Sequence, residues 1–158
     1  MADTKTTTKN SSAKGKSANV WTDEERAAMK ESARERKASS KLSPAEERAQ
    51  GEADIRAKIA EMTDAEQAMA ERLHDLVATN APAFVPRTYY GMPAYSKGGK
   101  TICFFQPASK FKVRYSTFGF QPDAHLDDGE MWATEFAVIK LTPAVEKQIV
   151  DLVKKASS

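Results

Sequence analysis

Phe111-Lys-Val-Arg-Tyr-Ser-Thr117 alternates apolar and polar side chains without a break, with Phe111, Val113, Tyr115 and Thr117 on one side and Lys112, Arg114 and Ser116 on the other. A period of two belongs to a strand with one buried face and one wet face. Outward from it, the same period covers residues 88–90, 101–105 and 135–139, and Gly98-Gly99 between apolar runs fits a hairpin turn because both glycines accept positive φ. Upstream of Pro86 the period is helical: Ile55, Ile59 and Met62 recur at that spacing, then Met69, Leu73, Leu76 and Val77. Pro82 disfavours helical geometry at Ala81, which ends the second run near Asn80. Thr142-Pro143 opens a last helix striped with Val145, Ile149, Leu152 and Val153. Two helices, a run of antiparallel strands and a closing helix predict an α+β fold, a small antiparallel sheet of four to five strands with helices packed on one face.

Further helix starts lie nearer the N-terminus. Thr22-Asp-Glu-Glu25 and Thr63-Asp-Ala-Glu66 fit the capping box, and Ser43-Pro44-Ala-Glu46 adds proline at the first helical position. The helix opened at Asp23 carries only alanines and Met29 as apolar residues, so it has almost no face to bury and is expected to be solvated or loosely docked. Gly51 either breaks the next helix or is absorbed into it at a cost of about 1 kcal/mol. The organisation that follows is a basic tail over 1–21 that stays unfolded, a polar helix and linker over 22–50, and the α+β domain over 51–158.

Charge and composition narrow the function. The 158 residues carry eleven basic and eight acidic side chains over 1–50, against thirteen and fourteen over 51–158, so the positive excess belongs to the N-terminal third. A lysine-bearing tail without aromatics is a solubilising extension more often than a nucleic-acid arm, and nucleic acid is not an expected partner. Cys103 stands alone, which excludes a disulfide or a C-x-x-C site within the chain. No run approaches the roughly 18 apolar residues of a membrane span, and residues 1–12 lack the apolar core of a secretory signal, so a cytoplasmic protein without a membrane partner is expected. Ser96-Lys-Gly-Gly-Lys-Thr101 has the flavour of a phosphate loop, but the required first glycine would fall at Ala94 and a strand follows instead of a helix.

The run Thr88-Tyr-Tyr-Gly-Met-Pro-Ala-Tyr95, followed by Gly99-Lys100 and an aromatic strand, resembles the signature of the YdhG-like family, domain of unknown function 1801. Tyr90-Gly91-Met92-Pro93 carries most of the likeness, which extends over about residues 53–156. The chain departs from the family pattern by its N-terminal extension and by an insert over 123–132. The resemblance implies an α+β domain and, for some members, a frataxin-like role in delivering iron, with an iron-accepting protein as partner.

Two candidate sites follow from the residues. Asp123, His125, Asp127, Asp128 and Glu130 combine carboxylates with an imidazole, donors that iron or manganese accepts, although an acidic turn-forming surface loop has the same composition. Eleven aromatics crowd into the 48 residues from Tyr89 to Phe136, more than one sheet face can bury against three small helices. The surplus is expected to line a groove, with Tyr90, Met92, Tyr95 and Trp132 as apolar walls and Lys100, Lys112 and Arg114 as a cationic rim for a small anionic ligand or a partner segment. Cys103, alternating onto the face of Phe105, is read as a buried small hydrophobe, with a thiol-dependent enzyme as a third reading. His74, beside Leu73, is read as a solvated residue on the helix flank. A non-enzymatic binding module is the expectation, metal-handling in its first form and aromatic-groove in its second.

Overall fold

The structure, a computed structural model, describes residues 21–39 and 42–158. The expectation of an unfolded tail therefore falls, except for Trp21, outside the described residues. Five helices and five strands succeed one another: α1 (Asp23–Ser39), α2 (Pro44–Ala60), α3 (Asp64–Asn80), β1 (Val85–Tyr89), β2 (Met92–Lys97), β3 (Lys100–Gln106), α4 (Ala108–Phe111), β4 (Ser116–Phe120), β5 (Glu135–Val138) and α5 (Pro143–Ser157). The strands form one antiparallel meander in the order β1-β2-β3-β4-β5. No helix is long and apolar enough to cross a membrane among the described residues.

All three capping boxes form. Thr22 Oγ1 accepts from the Glu25 N–H at 3.1 Å while the Thr22 N–H donates to Glu25 Oε2 at 2.8 Å. Ser43 with Glu46 and Thr63 with Glu66 repeat the reciprocal pair. Each box satisfies two of the orphan donors of a first turn, which lets these starts be read locally. Glu66 does more than cap: it also accepts from the Ser109 N–H at 2.9 Å and the Ser109 hydroxyl at 2.6 Å, tying α3 to α4. Burial alone would raise its pKa, but the bonds from Ser109 and Thr63 together hold it below the usual glutamate value.

α2 runs unbroken through Gly51. That glycine is buried, and a Cβ built on it would lie inside 3.0 Å of the Pro86 carbonyl. The helix backbone therefore rests directly on β1, and Ile55 and Ile59, one and two turns on, enter the core. α3 and α5 join α2 on the same side. Leu73 and Val77 from α3, with Ile149 and Val153 from α5, meet Tyr95, Cys103, Phe105, Phe118, Phe120 and Val138 from the sheet. This is the predicted arrangement of helices on one face.

The alternation of 111–117 misled in one respect. Phe111 ends the short helix α4, Lys112 takes the left-handed conformation at φ 53°, and the fourth strand begins only at Ser116. Val113 is 46% and Tyr115 37% exposed, so their alternation records no burial. Phe118 and Phe120 are the inward pair of this strand, because they stand opposite Phe105 and Cys103 across the ladder. Two further shifts accompany it. Tyr90 leaves the strand for the β1–β2 turn, where it and Gly91 both have positive φ (51° and 72°), and Met92–Lys97 forms a strand of its own. Consecutive positive φ values are the requirement of a tight two-residue hairpin turn, with Gly91 supplying the second without strain.

Candidate functional site

Strand alternation splits the predicted groove. Tyr95 faces the main core, whereas Met92 lies on the opposite face of the sheet in a second cluster with Ala94 and Phe104, against which Tyr89, Tyr90 and Phe111 pack. Tyr95 is three positions on from Met92, an odd step along the strand, so the two cannot share a wall. The cationic rim is dispersed as well. Lys100 pairs with Asp123 at 3.3 Å, Lys112 pairs with Glu24 of α1, and the Arg114 guanidinium lies 5.1 Å from the centre of the Tyr115 ring. Trp132 is 40% exposed in the long β4–β5 connection.

The proposed metal ligands are not gathered either. In the loop after β4, buried Ala124 and Leu126 pin the backbone to the core, and the alternate positions His125 and Asp127 are exposed together with Asp128 and Glu130. Asp123 is engaged by Lys100. Among the described residues no three His, Cys, Asp or Glu side chains form a group that holds a metal ion.

On the second face of the sheet the aromatic surplus does meet a cleft, of about 380 Å³, lined by Ser32, Glu35 and Arg36 of α1, Glu47 of α2, Arg87, Tyr89 and Tyr90 of the first hairpin, and Gly99 and Thr101 of the second. Of the residues singled out from sequence, only Tyr90 lines it. The rings of Tyr89 and Tyr90 meet edge to face with centroids 4.5 Å apart. Burial, and then the neighbouring Tyr90, raises the Tyr89 pKa above the ordinary tyrosine value, so its hydroxyl stays protonated at neutral pH. Arg87 stands opposite Ala94 on this face, and no carboxylate among the described residues pairs with its guanidinium. Of the two glutamates in the wall, Glu35 accepts a hydrogen bond from the Gly91 N–H at 3.2 Å. Arg87 carried no motif, and only its place beside the Tyr-Tyr pair of a hairpin could have drawn notice.

A buried polar network was also missed. The His74 ring stands with Nδ1 2.9 Å from the Tyr95 hydroxyl and Nε2 2.8 Å from Glu52 Oε1, and both His74 and Tyr95 are buried. A carboxylate accepts and cannot donate, so Nε2 directs an N–H at Glu52, while Nδ1 and the Tyr95 hydroxyl share the second hydrogen bond. Burial pushes the Tyr95 phenol well above its ordinary value, which keeps the hydroxyl proton in place. His74 is thus a fully used core histidine joining α2, α3 and β2, not a solvated one.

Cys103 sits opposite Tyr95 with no exposed surface, and burial pushes its thiol well up from the ordinary range. A neutral, buried thiol is a poor nucleophile. Iodoacetamide is expected to leave Cys103 unmodified in the folded chain at neutral pH and to alkylate it in guanidinium, with mass spectrometry reading both states. Rapid labelling of the folded chain would restore the thiol-enzyme reading.

No family model, curated protein or solved structure matches the chain.

Proposed function

We propose that the chain is a non-enzymatic binding module of YdhG-like type, working in a reducing cytoplasm, that takes a small anionic ligand in the cleft between α1 and the first two hairpins. The observation that carries this reading is Arg87, a cation without a carboxylate partner among the described residues, set beside two tyrosine rings in a cleft of about 380 Å³. That volume lies within the range of small-molecule sites, and its lining, more polar than such sites usually are, suits a charged ligand. The edge-to-face ring pair offers an apolar corner, the guanidinium a forked donor for a carboxylate or phosphate, and Thr101 and Ser32 hydroxyls for orientation. Glu47 in the wall disfavours a ligand that is anionic at both ends. Iron delivery, the role the YdhG-like resemblance implies for some relatives, lacks a gathered donor set among the described residues, and the cleft is the better-supported site.

The test is an NMR titration of the isotopically labelled chain with benzoate and with phenyl phosphate. Shifts should cluster at Arg87, Tyr89, Tyr90, Gly99 and Thr101, and Arg87→Ala should weaken binding roughly tenfold or more, the cost of removing a charge-assisted hydrogen bond. Shifts scattered over the surface, or an affinity that Arg87→Ala leaves unchanged, would remove the cleft as a ligand site.

A further inference from the structure

α1 is bound to the domain almost wholly by charge. Glu24, Ala28, Glu31 and Glu35 recur at steps of four, three and four, a single stripe along the helix. Each of these positions touches the domain or is buried against it. Glu24 pairs with Lys112 just after α4. Glu31 bridges Lys58 of α2 at 3.1 Å and Lys110 of α4 at 3.2 Å, and Glu35 accepts from the Gly91 N–H of the β1–β2 turn. Room for the Glu31 carboxylate exists because position 91 has no Cβ, which would otherwise fall inside 3.0 Å of it. The fully buried side chains along this docked face are small, Ala28 and Ser32, and Trp21 at the head of the helix stays 49% exposed. Large apolar groups, the usual source of helix docking, are missing from the stripe.

The surface under α1 is therefore a groove of three lysines and a backbone amide, contributed by α2, the first hairpin turn and α4. Such a groove recognises a helix by carboxylates at fixed spacing. Partly exposed ion pairs are individually weak and screened by salt, so the occupant is exchangeable. We propose that this groove is a docking site for an acidic helical segment of a partner protein, occupied in cis by α1, which partner binding displaces. The partner segment would present carboxylates at i, i+7 and i+11, with small residues between them to let the backbones approach. On the groove side this inference uses Lys58, Lys110, Lys112 and Gly91, none of which lines the ligand cleft; Glu35 of α1 belongs to both, so Arg87→Ala reads the cleft alone and Lys110→Glu the groove alone. α1 does supply one wall of that cleft, through Ser32, Glu35 and Arg36, so displacing the helix would also open it.

The test uses the full chain and a labelled peptide of residues 21–39 as probe. In the variant Glu24→Lys/Glu31→Lys/Glu35→Lys, α1 is repelled from the lysines while no core side chain is altered; an unchanged far-UV spectrum outside the helical loss and preserved methyl resonances of Ile55 and Val153 confirm the fold. Fluorescence anisotropy should show the peptide binding this variant at least ~10-fold more tightly than the native chain, whose own helix competes at high effective concentration. Binding should weaken as salt is raised. A control peptide with glutamine at 24, 31 and 35 should not bind, and adding Lys110→Glu to the variant chain should abolish binding of the native peptide. No binding to the folded variant, or equal binding of the glutamine peptide, would overturn the proposal. Sedimentation of the native chain as a dimer that the triple variant cannot form would overturn it in favour of α1 exchange between two copies.

Discussion

Gly51→Ala should destabilise the domain by about 3 kcal/mol, although alanine is the better helix former by about 1 kcal/mol. The sign is decided by a backbone contact. The added methyl would lie inside 3.0 Å of the Pro86 carbonyl, and the next nearest atoms, the Pro86 carbonyl carbon and the Arg87 Cα, are also main chain. No rotamer change relieves it; α2 has to lift off β1, taking Ile55 and Ile59 out of a core where they are 0% and 4% exposed. Urea denaturation of wild type and variant measures the loss. A midpoint at or above wild type would mean that α2 does not rest on β1 as described. Gly129→Ala is the control: nothing lies within 4 Å of its would-be Cβ, and only the positive φ of 66° opposes the substitution, at about 1 kcal/mol.

His74→Ala is expected to cost about 2–5 kcal/mol, the range for emptying a buried side chain, with part of the loss coming from the stranded Tyr95 hydroxyl. Tyr95 is 3% exposed, and among the described residues His74 is the hydrogen-bond partner of its hydroxyl. Tyr95→Phe should cost less, because it keeps the ring in the core and leaves only the His74 Nδ1 without its partner. Adding Tyr95→Phe to His74→Ala should therefore recover stability relative to His74→Ala alone, since the stranded hydroxyl disappears with its partner. A double-mutant cycle by chemical denaturation reads the coupling directly, and strict additivity would show that the two residues do not interact.

These two positions mark where reading along the chain stops being sufficient. Gly51 is visible as a helix-weakening residue, but nothing in its neighbours says that Pro86, 35 positions later, presses against it. His74 borders an apolar stripe, and its partners Glu52 and Tyr95 lie 22 and 21 positions away. The helix beginning at Asp23 has the composition of a solvated rod, and its docking surface is assembled from Lys58, Gly91, Lys110 and Lys112. The same limit explains the fourth strand. Period two holds from Phe111 to Thr117 and again from Ser116 to Phe120, and the choice between them belongs to β3 and β5, against which Phe118 registers with Phe105 and Phe136.

The residues by themselves determined the helix starts, Pro143 among them, the glycine hairpin turn between β2 and β3, the helix end imposed by Pro82, and hence the α+β class. Those signals act through hydrogen bonds and dihedral limits within a few residues of each other, so they need no tertiary partner. Which of two alternations is buried, which histidine is satisfied, where a polar helix docks and which aromatics wall a cleft were decided only in the tertiary structure. Each of those outcomes depends on groups brought together by the sheet from distant parts of the chain, and burial and charge pairing are properties of that assembly, not of any local run.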